Sequence, residues 1–201
     1  MTMNEEERNA RFNAFAKAND AILVKELELD YVEIEKAYRQ VWADFAARAE
    51  NDEYFLHETK RRTVERILFA ANAAEQPFEV CHEIWNELLA LGFSAPFIKR
   101  LTSRSYADTC LTTGHYDAGL EVIEPVIAEF EQSLQGKPQI HRSAEDELAS
   151  LKLLRDGLLA FRTGDEETVQ AWLVREEAEI AARRQRNEEE HAQARSKDKT
   201  P

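Results

Sequence analysis

The chain has 201 residues, 43% hydrophobic and 32% charged, with a formal net charge of −13. That length holds one well-cored domain or a short array of repeats, and so negative a surface disfavours sequence-independent binding to DNA or RNA, whose phosphates it would repel. Six glycines and five prolines are too few for a sandwich or barrel with many tight turns.

The first apolar stripe runs from Glu5 to about Leu27 through Phe12, Phe15, Ile22 and Leu23. A second carries Tyr31, Ile34, Tyr38, Val41, Trp42 and Phe45 at steps of three and four, the period of a helix. Asn51 is the expected N-cap of a third, striped by Phe55, Val64, Ile67, Leu68 and Ala71. Pro77 suits the first turn of a fourth, with Cys81, Ile84, Trp85, Leu88 and Leu89 on one side, and Gly92 ends it. Ser94 is the expected cap of a fifth helix holding Phe97, Leu101 and Tyr106, closed by Gly114. The sixth, about His115 to Gln135, contains Tyr116, Leu120, Ile123, Ile127 and Phe130, and Pro125 removes one of its backbone donors. After the loop "QGKPQIH", Ser143 is expected to cap a seventh with Leu148, Leu151, Leu154, Leu158 and Phe161. Gly164 and Asp165 then stop that helix and start an eighth, which carries Val169, Trp172 and Leu173.

No strand pattern appears, so the expected fold is all-α, with about eight helices. Residues 1–183 form a single helical domain in this reading. Beyond about Arg183 the apolar stripe disappears, and residues 184–201 read as a charged, frayed or solvated tail. No run approaches the roughly 20 apolar residues of a membrane span, and "MTMNEEERNARF" lacks the basic-then-apolar order of a signal peptide. Cys81 and Cys110 both fall in apolar helical patterns, as buried thiols of a reducing compartment would. The expected location is the cytoplasm.

Three one-residue turns superpose. Leu68, Ala107 and Gly157 precede them, then Ala71, Cys110 and Ala160; the turn positions are Glu75, Gly114 and Gly164; Val80, Gly119 and Val169 follow. Small residues before a turn let two helices approach, and a lone hairpin cannot bury both faces, so such units stack. "YADTCLTTGHYDAG" and "DGLLAFRTGDEETVQAW" resemble the tetratricopeptide-like family of helix-turn-helix repeats over roughly residues 61–174. The turns lie about 39 and then about 50 residues apart, against about 34 in that family. The expected architecture is therefore either antiparallel hairpins stacked as a short α-solenoid or an irregular helical bundle.

Catalytic constellations are sparse. Cys81, His82, Cys110 and His115 could be brought together by neighbouring helices, but their spacing matches no zinc pattern, and adjacent helical residues point about 100° apart. Glu53 and His57 stand four apart, as an acid–base pair or as ordinary helix surface. No metalloprotease histidine pair, nucleophile elbow or phosphate-binding glycine loop is legible. The expectation is a protein that is not an enzyme and has no cofactor or metal. The alternative is a hydrolase or transferase using His57 and Glu53, or His115.

Charge divides between the helices. The fourth and sixth carry Glu79, Glu83 and Glu87, then Asp117, Glu121, Glu124, Glu129 and Glu131, without lysine or arginine. Their predecessors carry Lys60, Arg61, Arg62 and Arg66, then Lys99, Arg100 and Arg104. The resemblance implies that first helices line a concave groove and second helices form its back. It thereby places Arg62, Arg66, Asn72, Arg104, Asp108 and Arg155, with Leu158 and Phe161, on a partner-binding inner face. The competing surface is the acidic back, with Glu79, Glu83, Glu87, Glu121 and Glu124; the plain alternative is charge pairing within each hairpin. The expected function is a protein-binding adaptor, regulator or immunity-type inhibitor. Its partner would be another protein, such as a toxin or a secretion or signalling component, and neither nucleic acid nor membrane.

Overall fold

The computed structural model describes residues 5–26, 28–49, 52–135 and 142–197. They form eight helices and no strand: α1 (Glu5–Leu23), α2 (Tyr31–Ala46), α3 (Glu53–Ala73), α4 (Phe78–Leu91), α5 (Pro96–Thr112), α6 (Tyr116–Leu134), α7 (Arg142–Thr163) and α8 (Glu166–Lys197). The all-α expectation is met.

The helix starts differ from the expected ones in instructive ways. Asn51 lies outside the described residues, and Asp52 caps α3 by accepting from the Phe55 N–H at 3.1 Å. Ser94 does not cap α5. Its N–H and hydroxyl both donate to Glu65, and Pro96 opens the helix after Ala95 without a side-chain cap, as proline can at a position whose N–H would be orphaned anyway. Ser143 sits inside the first turn of α7 rather than before it. Asp165 does cap α8, accepting from the Thr168 N–H at 2.9 Å. Helix α8 runs past Arg183 through residues 184–197, and 198–201 lie outside the described residues.

The three superposed turns share one backbone state. Glu75, Gly114 and Gly164 have φ of 50°, 81° and 67°, the left-handed region that ends a helix. At the first two the chain closes alike: Gln76 N–H returns to Ala71 C=O at 3.0 Å, and His115 N–H to Cys110 C=O at 2.8 Å. Close approach explains the small residues. A Cβ on Gly119 would meet Leu158 Cδ2 at 2.7 Å, and one on Gly157 would meet the Trp172 indole at 2.6 Å.

Each helix packs on its sequence neighbours. In addition the backbones of α1 and α3, α3 and α5, and α5 and α7 approach closely, whereas among the described residues no two even-numbered helices do, and α2 reaches α4 through a side-chain ion pair. The helices thus lie as four successive hairpins, with the odd-numbered helices also packed on one another. The core between the layers takes Val64, Ile67 and Leu68 of α3, Ile84, Trp85 and Leu88 of α4, and Leu151, Leu154 and Leu158 of α7. Each such side chain contributes roughly 1.5–3 kcal/mol on burial. Threonines buried among them are satisfied locally: the hydroxyls of Thr59 and Thr63 donate to the carbonyls four residues back. Leu89, expected on the apolar side of α4, is half exposed instead, and so is Phe97.

Candidate functional site

The odd-helix face holds a pocket of about 550 Å³ between α1, α3 and α5, walled by Phe15, Phe69, Ile98 and Leu101 and flanked by Arg62 and Arg66. The structure therefore brings these two groove residues to one concavity, but engages both. Arg62 pairs with Glu58 at 2.9 Å and lies over the Phe12 ring; Arg66 has Asp20 at 3.8 Å. Glu65, buried beside them, has its carboxyl pushed up by desolvation, with the Ser94 bonds opposing.

The remaining groove residues are placed differently from expectation. Asn72 braces α3 on α5, its amide donating to Ser105 C=O and Thr109 Oγ1, both at 2.9 Å. Leu158 is fully buried against Gly119 and cannot reach a partner: its place on the superposed hairpin points into the core. Phe161 packs edge-on to Trp172 and near Tyr116. Arg155 pairs with its neighbour Asp156 at 2.7 Å. Arg104 is exposed but not without a partner. Asp108 is exposed near α8, where burial and then the Asp108 charge raise the Glu176 carboxyl.

On the even-helix face, pairing within and between hairpins takes up part of the acidic set. Glu87 meets Arg39 at 3.2 Å and Lys60 at 3.4 Å, Glu129 meets Lys99 at 2.7 Å, Glu131 meets Lys152 at 2.5 Å, and Asp117 meets Arg162 at 3.3 Å. Glu79, Glu83, Glu121 and Glu124 are exposed and have no ion pair among the described residues. Between α4 and α6, over α5, lies a cleft of about 390 Å³. Its walls are Leu89, Phe93, Val122 and Pro125; Trp85, stacked on Tyr106 at 4.9 Å, and Ser103 form the floor. Sequence periodicity missed this cleft, because Trp85 and Tyr106 read as core, which they also are. The available signal was a proline inside α6 beside Glu121.

The residues proposed for chemistry do not assemble. His57 and Glu53 are exposed in the first turns of α3, whereas His115 stacks on Phe78 with centroids 3.6 Å apart, past the other end of that helix. His115 Nδ1 is 3.1 Å from Thr113 Oγ1, and His82 Nδ1 is 2.6 Å from the Tyr106 hydroxyl. Cys81 and Cys110 are buried and unbridged. Burial pushes both thiols up, Cys110 to about 12, which disfavours the thiolate that ligation or nucleophilic attack requires. Among the described residues no three His, Cys, Asp or Glu side chains are placed to hold a metal ion. Among them, too, no helix is long and apolar enough to cross a membrane.

No protein-family model matches the chain, and no curated protein or solved structure matches it.

Proposed function

We propose that the chain is a non-catalytic protein-binding scaffold, of the adaptor, regulator or immunity-inhibitor kind, and that its even-helix face receives a basic surface of another protein. One observation carries this reading: four exposed glutamates without an ion pair among the described residues stand on α4 and α6, the helices that wall an apolar cleft, while the groove cations are engaged within the chain. Unpaired carboxylates over an apolar patch combine long-range attraction with short-range burial. The first speeds encounter with a cationic partner and the second holds it. Two buried, unbridged thiols fit the reducing cytoplasm. The stacked hairpins with left-handed turns support kinship in kind with tetratricopeptide-like repeats.

Charge reversal against the isolated partner tests the assignment. Glu83→Lys with Glu121→Lys should weaken binding by about a hundred-fold or more, and Arg66→Glu with Arg104→Glu by less than about three-fold. The opposite pattern would move the site to the groove.

A further inference from the structure

We infer that the cleft between α4 and α6 is a socket for one long cationic side chain of the partner, a lysine or an arginine. This rests on the even-face reading above, which assigns the face but not the contact. The cleft has the two halves that such a side chain needs. Leu89, half exposed, with Phe93, Val122 and Pro125 offers an apolar wall for the methylene stem, which lysine and arginine lay along apolar surface while their heads seek acceptors.

The acceptors are in surplus. Glu121 lines the cleft, is exposed, and has no ion pair among the described residues. Pro125 stands four residues after it inside α6 and has no N–H, so the Glu121 carbonyl lacks its ordinary helical donor. Ser103 on the floor is 1% exposed, and its hydroxyl has no hydrogen-bond partner among the described residues, an arrangement that costs free energy until something fills it. The lysine of the lining does not compete: Lys99 Nζ is held by both oxygens of Glu129 at 2.7 Å. A carboxylate, a freed carbonyl and an unmatched hydroxyl beside an apolar wall call for a donor-rich head on an aliphatic stem.

The full chain, isotope-labelled, would be titrated with three blocked tripeptides, Leu-Lys-Leu, Leu-Arg-Leu and Leu-norleucine-Leu, while the Trp85 indole and Ser103 amide resonances are followed. The socket predicts saturable shifts with a cationic peptide and binding about ten-fold weaker with the norleucine one; the first two arms show which cation fits. Glu121→Gln should weaken the cationic peptide by about five-fold or more, and Glu83→Gln, which removes the same charge from the same face outside the cleft, by less than about two-fold. Pro125→Ala, which restores the missing N–H, should weaken it too, with a thermal melt confirming that the variant is folded. Equal losses from Glu121→Gln and Glu83→Gln, or equal binding of norleucine, would overturn the socket and leave the acidic face standing. Absence of any saturable shift on α4 and α6 would remove both.

Discussion

Helices α3 and α5 are rich in cations and α4 and α6 in carboxylates, but the two sets differ more in what those charges are doing. On the odd side the helices touch one another, so the side chains between them are drawn into the fold. Arg62 is held by Glu58, and Asn72 bridges to α5. On the even side no two backbones of the described helices come so close, and the glutamates that find no cation across or between hairpins stay in solvent beside a cleft. Two charged surfaces thus become a structural face and an available one. The spacing of the layers decides which is which.

If that division is right, substitutions in the groove set should lower stability, and those in the acidic set should not. The largest effect is expected at Leu158. Its truncation to alanine leaves a cavity beneath Gly119 and should cost about 2–5 kcal/mol in denaturant unfolding; a loss under about 0.5 kcal/mol would return it to the surface. Asn72→Ala removes two contacts between α3 and α5 and leaves their acceptors short of a donor, for an expected loss of about 1–3 kcal/mol.

Next is Asp52, which ties the start of α3 to α1 through Arg8 at 3.1 Å. Burial raises its carboxyl, but the Phe55 N–H and the Arg8 guanidinium outweigh that and hold it below the ordinary aspartate range. A depressed folded-state value stabilises above the unfolded one and is lost as pH falls through the folded one. Asp52→Ala should therefore cost about 1 kcal/mol at neutral pH, with the gap between the two proteins closing in acid. A gap unchanged down to strongly acidic pH would contradict the role of the carboxylate. The smallest effect is expected for Glu79→Gln, Glu83→Gln and Glu124→Gln, each within about 0.5 kcal/mol of the parent by the same measurement.

Much of the fold was legible because helical periodicity and turn chemistry agree. The stripe Phe55, Val64, Ile67, Leu68 and Ala71 is buried throughout, and the glycines at 114 and 164 mark left-handed turns that Glu75 shares. What periodicity could not supply was competition for partners. Ser94 has the chemistry of a cap, but a buried carboxylate one hairpin earlier outbids the helix end for its hydroxyl. Leu158 sits where a groove residue would in the superposed hairpins, yet the missing side chain of Gly119 draws it inward. The acidic candidates were legible as a set, but dividing them into paired and unpaired required knowing where Lys60 and Lys99 reach. The cleft depends on the backbones of α4 and α6 not approaching closely, a property of the stack that no single segment encodes.

The central claim, that the even-helix face is where another protein binds, is tested most directly by photocrosslinking in the source cell. A photoreactive residue would be placed at position 124 or at position 66 of the otherwise intact chain. The account predicts one discrete adduct from position 124 that disappears when Glu121→Lys is added, and none from position 66. An adduct from position 66 that survives Glu121→Lys, with none from position 124, would contradict it.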